Sequence, residues 1–99
     1  VTLVNGTDIP PGDLVDGIPA AVHELLLMAA AGLSPLLSLQ SVSVQAAALL
    51  GIGDRVGQIR PGYAADFAVV AADPLDDLAA LRTISLIVQG GRVVRQDAA

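Results

Sequence analysis

A chain of 99 residues with a net charge of −5, five basic residues that are all arginines, and 2% aromatic side chains makes one domain or less. Arginines scattered at 55, 60, 82, 92 and 95 build no basic patch for nucleic acid and offer no stacking platform for single strands. The absence of cysteine removes disulfides, thiolate zinc sites and thiol catalysis.

Apolar residues make up 54% of the chain, roughly 64% with glycine, against about 45–50% on that footing in average domains. So short a chain leaves much of this wet, and a further surface is expected to cover it, from the rest of a polypeptide or from a second copy in a homo-oligomer. The longest unbroken apolar run, residues 25–31, is too short to span a bilayer. No basic segment precedes an apolar stretch as in a signal peptide, so the reading is a cytoplasmic protein with no membrane and no nucleic-acid partner.

Residues 1–8 predict an apolar β-strand ending in Gly6-Thr7-Asp8, which sets one carboxylate at a strand C-terminus. Ligands and catalytic groups gather at such ends in barrel and open α/β folds. A strand that comes first has no earlier partner in the chain, so the sequence reads as the closing part of something larger. Residues 9–17, rich in proline, glycine and aspartate, predict a loop. Residues 18–31 predict a helix with Pro19 in its first turn and Gly32 just past its end. A second helix runs from the N-cap Ser34, with Pro35 behind it, to Leu50 and stops at Gly51; Leu33 and Leu37 hold the spacing of a hydrophobic staple.

Beyond Gly51 the period changes. Residues 54–59 predict a turn and short strand, 60–63 a turn, 66–71 a strand, and 73–78 a capped turn or short helix. Strands over 84–89 and 92–95 flank Gly90-Gly91, the signature of a tight hairpin. The chain divides into strand–helix–helix over 1–53 and a small β part over 54–99.

Asp8 has two readings on its residues alone. It is a turn or N-cap aspartate accepting backbone N–H groups near Ile9 and Gly12, or a metal-binding or catalytic carboxylate on a rigid mount. His23, early in a helix beside Glu24, reads as solvent-facing or helix-packing, with a substrate contact left open. No second ligand stands three or four residues on to make it a metal site. Ser34 reads as a cap, Asp66 as a pin for the strand start through backbone N–H groups, and Asp13, Asp16, Asp76 and Asp77 as solvated loop acids.

Seven segments in order carry a resemblance. They are Asn5-Gly6-Thr7-Asp8, His23-Glu24-Leu25 through Gly32-Leu33-Ser34-Pro35, Ala46-Ala47-Ala48-Leu49-Leu50-Gly51, Asp54-Arg55-Val56-Gly57-Gln58-Ile59, Pro61-Gly62-Tyr63-Ala64-Ala65-Asp66, Asp73-Pro74-Leu75 and Val88-Gln89-Gly90-Gly91-Arg92-Val93-Val94. Nearly the whole chain thereby resembles the C-terminal portion of metal-dependent amidohydrolases, in the branch of imidazolonepropionases and prolidase-type dipeptidases. The resemblance implies an α/β fold: the last strand and following helices of a TIM-like (β/α)8 barrel over 1–53, and the C-terminal part of a small β-sandwich over 54–99.

It further implies hydrolysis of a C–N bond, in an amide, cyclic amide or amidine of a small-molecule substrate, by water activated on a divalent metal. That metal is expected to be Zn2+, as one or two ions. Asp8 matches the family's last barrel carboxylate, which ligates or approaches the metal, takes the proton of the bound water and hands it to the leaving group. The family's His-x-His pair, bridging ligand and further histidines have no counterpart here, since the chain holds one histidine and no lysine. The 99 residues alone are therefore expected to be inactive and to need the remainder of their polypeptide. A non-catalytic relative of the same architecture and a small α+β interaction module are the two alternatives. Tyr63 departs from the lysine usual after Pro-Gly, and Gln45 from the asparagine usual two residues after Ser43.

Overall fold

The structure is a computed structural model and describes residues 2–10 and 12–97. Asp16 and Gly17 both have positive φ, 51° and 80°, as a two-residue type I′ turn requires. They fold β1 (Leu14–Val15) antiparallel onto β2 (Ile18–Pro19), so the expected loop over 9–17 contains a hairpin. The chain passes straight into α1 (Ala20–Ala30), and Pro19 is its N-cap instead of a first-turn residue. Gly32 ends the helix as expected: at φ 104° its N–H reaches the Ala29 carbonyl at 3.0 Å, and the Leu33 N–H reaches Met28 at 3.1 Å. This pair of bonds is a Schellman closure.

The single helix expected up to Leu50 is two. Ser34 caps α2 (Pro35–Ser41), its Oγ accepting the Leu37 N–H at 3.2 Å; α3 (Val44–Leu49) follows after a break. The Ser41 hydroxyl donates to the Ser38 carbonyl at 2.6 Å and the Ser43 hydroxyl to the Leu39 carbonyl at 2.7 Å. Serine back-bonding of this kind bends helices, and Ser43, at φ −125° and ψ −96°, has left helical geometry.

No strand forms over 54–59. Gly57 turns the backbone at φ 99° so close to α3 that a Cβ there would sit 3.0 Å from the Ala47 Cβ. The turn at 60–63 forms, with Gly62 at φ 87° and the Tyr63 N–H on the Arg60 carbonyl at 3.1 Å. The Tyr63 hydroxyl donates to the Gly53 carbonyl at 2.8 Å. A three-stranded antiparallel sheet then follows in the order β3 (Phe67–Val69), β4 (Leu86–Gln89), β5 (Arg92–Gln96). Val88 faces Val93 but Ile87 faces Arg95, so Val94 is the extra residue of a β-bulge. Between β3 and β4, Asp73 caps a turn by accepting the Leu75 N–H at 2.9 Å. Asp77 likewise caps a 3₁₀ helix, Leu78–Thr83, through the Ala79 N–H at 2.9 Å.

The strand expected over 1–8 is not formed. Val1 lies outside the described residues, and residues 2–8 carry no ladder; the Asn5 N–H bonds the Ser41 carbonyl at 3.0 Å. A strand exists only against a partner, and the described residues provide none here.

The core is small. Val22 and Leu25 of α1 are buried, as are Leu78 and Ala80 of the 3₁₀ helix packed against it. The parts before and after residue 53 thus share apolar contacts. The chain exposes 6656 Å², against ~5,200 Å² for a compact monomer of this length. Leu49, Leu50 and Ile59 are among its exposed large apolar side chains. Among the described residues no helix is long and apolar enough to cross a membrane.

Candidate functional site

Asp8 stands at φ 57°, in the left-handed region that side chains other than glycine rarely enter and that aspartate tolerates better than most. Such backbone positions collect at functional sites. Its carboxylate is exposed and takes no hydrogen bond from the described residues. The Ile9 N–H is bound by the Thr7 Oγ1 at 3.1 Å. The turn-capping role open to Asp8 on sequence grounds belongs to Thr7.

The residues present suit a divalent cation in part. Asp8 offers one hard oxygen donor with its lone pairs free, a type such ions accept. Among the described residues no three histidine, aspartate or glutamate side chains gather, so Asp8 would serve as one member of a ligand set completed by other residues.

His23 lies on α1 with its Nε2 3.5 Å from the Asp16 Oδ2; the histidine side chain is 25% exposed and the aspartate 83%. His23 therefore faces the β1–β2 hairpin, not open solvent, while Asp16 is a solvated turn acid, as expected. No hydrogen bond or ion pair joins His23 to Asp8. The pairing escaped sequence reasoning because it depends on the hairpin; the Asp16-Gly17 dipeptide was the available signal.

A cavity of about 720 Å³ that Asp8 does not line lies between the α2–α3 pair and the β3 segment; Leu39, Val42, Leu50, Ile52 and Phe67 line it. Asp66 is the one ionisable group in its wall, and that carboxylate is engaged by the Gly90 N–H at 2.7 Å. Asp66 thus pins the β4–β5 turn, not the start of its own strand. The cavity is an apolar surface without chemistry.

The chain is a mixed α/β unit in which the exposed Asp8 carboxylate precedes the helices and a small antiparallel sheet. The chain belongs to the amidohydrolase family, whose pattern matches residues 3–94. It is 37% identical over 82 residues to the imidazolonepropionase of Solibacter usitatus (strain Ellin6076), a match covering 80% of this chain and 19% of that protein. Among solved structures it is similar to molinate hydrolase, with a TM-score of 0.80 and 25% identity over 93% of this chain and 23% of that one. Phenylurea hydrolase B superposes with a TM-score of 0.70 and 32% identity, over 75% and 16% of the respective chains. The chain spans about a fifth of the length of the curated relative it matches.

Proposed function

We propose that these 99 residues act within a longer polypeptide as the Asp8-bearing part of a metal-dependent amidohydrolase that hydrolyses a C–N bond in a small molecule. The observation that carries this reading is the Asp8 carboxylate: held at a left-handed turn, released from local capping by Thr7, in a chain of the amidohydrolase family.

A divalent ion, Zn2+ in this reading, would supply Lewis acidity that brings the pKa of water toward neutrality. Asp8 would be one of the residues holding it. A carboxylate oxygen of Asp8 accepts the proton given up as water attacks the carbonyl or amidine carbon, and returns it to the departing nitrogen. Gly6 and Thr7 beside it would leave space for substrate, and the Thr7–Ile9 bond spans the turn that carries Asp8. The remainder of the polypeptide would supply the other ligands and cover the apolar cavity, a role supported by the surface this chain exposes beyond that of a compact monomer.

The test is a metal-reconstituted hydrolysis assay of the complete polypeptide against amides, cyclic amides and amidines, with Asp8→Asn alongside. Turnover that depends on both the metal and Asp8 supports the reading. A metal-loaded protein whose turnover is indifferent to Asp8 overturns Asp8's role, and one that binds no metal favours the non-catalytic scaffold.

A further inference from the structure

Among the described residues, Asn5 carries the hydrogen bonds that tie residues 2–8 to the helices. Its backbone N–H donates to the Ser41 carbonyl at 3.0 Å, and its side-chain Nδ2 donates to the Met28 sulfur at 3.5 Å in a half-buried contact. The acceptor on α2 exists because the helix breaks. In a helix continuing to Leu50, the Ser41 carbonyl would take the Gln45 N–H. Ser43 has left helical geometry, so that carbonyl ends α2 as one of the orphans every helix terminus leaves, and Asn5 satisfies it. The Met28 sulfur on α1 is the second anchor, and the fully buried Ser41 hydroxyl lies 4.0 Å from it. A thioether is a weak acceptor, but through the two bonds a single residue reaches both helices.

From Asn5 to Asp8 is three residues, at most about 11 Å of chain. Gly6 and Asp8 are exposed, and the next bond along the segment is the local one from the Ile9 N–H to Thr7. Thr7 shapes the turn, and Asn5 sets where that turn stands against α1 and α2. We propose that Asn5 is a positioning residue for Asp8, holding the site carboxylate in register with the helix pair from three residues upstream. This rests on the reading of Asp8 as the site carboxylate. Asn5 acts through the backbone it anchors and needs no contact with substrate.

The test uses the complete polypeptide with Asn5→Leu, Met28→Leu, the two combined, and Asn5→Leu together with Asp8→Asn. Leucine conserves the volume of methionine, and every variant keeps the backbone N–H of residue 5. Amide hydrogen exchange at residue 5, measured without metal, should rise roughly 2- to 10-fold in either leucine variant, as for one modest hydrogen bond, and no further in the two combined. In Asn5→Leu, kcat should fall about 10- to 100-fold, as when a reacting group is misplaced by about 1 Å, with KM unchanged within about 2-fold. In the Asp8→Asn background the same substitution should cost nothing further, because its effect passes through Asp8. Unchanged exchange at residue 5, or effects of the two leucines that simply add, would overturn the tie. A wild-type kcat in Asn5→Leu, or an equal loss with Asp8→Asn already in place, would overturn the positioning role. Asp8→Asn alone keeps the two readings apart: full activity there fails the assignment of the site, whereas a crippled Asp8→Asn beside a fully active Asn5→Leu fails Asn5 only.

Discussion

The Thr7 hydroxyl accepts the Ile9 amide at 3.1 Å, spanning Asp8, whose carboxylate takes no hydrogen bond from the described residues. Aspartate caps through the N–H groups two and three residues on, and at Pro10 and Pro11 there are none. Threonine performs the structural task, and both aspartate oxygens stay unbonded among the described residues.

Asp8→Asn should lower kcat about 10²- to 10⁴-fold, the range for removing a general base, with little change in the folded structure. Asparagine enters the left-handed region as readily as aspartate, so the backbone turn survives and the loss is chemical. Steady-state kinetics with circular dichroism on the complete polypeptide separate the two effects.

Gly57→Ala should destabilise the fold by about 1–3 kcal/mol. The added methyl meets the Ala47 Cβ at 3.0 Å and the Ser43 carbonyl oxygen at 3.1 Å, at a φ of 99° that alanine resists. Urea unfolding of the complete polypeptide should show a lower midpoint at unchanged slope.

Ser38→Ala should leave stability unchanged or raise it by about 1 kcal/mol. The Ser38 Oγ is fully buried and bonds to nothing among the described residues, so truncation removes a desolvated hydroxyl. A fall in melting temperature would show that this hydroxyl has a partner elsewhere in the protein.

Asp66→Ala should cost about 1 kcal/mol, the worth of an ordinary hydrogen bond. The lost contact is the 2.7 Å bond from the Gly90 N–H, which joins β3 to the β4–β5 turn. Faster amide exchange at Gly90, with α1 unaffected, would locate the effect.

What the sequence made legible was local chemistry. Ser34 before Pro35, Gly32 and Gly51 after helices, and Gly90-Gly91 between apolar runs each act on neighbours a few positions away, and each element formed where they stand. What escaped depended on choices between alternatives. Residues 2–8 have strand propensity, but a ladder needs a second chain segment. Ser41 and Ser43 looked compatible with a continuous helix, yet their hydroxyls took main-chain carbonyls and split it. The β1–β2 hairpin consists of two-residue strands, too short for any alternation to register, and the Asp16–His23 pair went unseen with it. Asp8 was legible as a candidate carboxylate, and its freedom from capping was legible too, in the two prolines that follow Ile9 and carry no N–H.

The bulge at Val94 also bears on self-association. β5 is an edge of its sheet and carries Val93 and Val94, both exposed, a stretch that would template growth of a cross-β ribbon if it ran straight. The extra residue twists the edge away, and Arg92 and Arg95 place charge at either side of it, both recognised guards against edge-to-edge stacking. Deleting Val94 would restore an even register with β4 and straighten the rim. The expected cost is a chain that still folds but turns solutions cloudy.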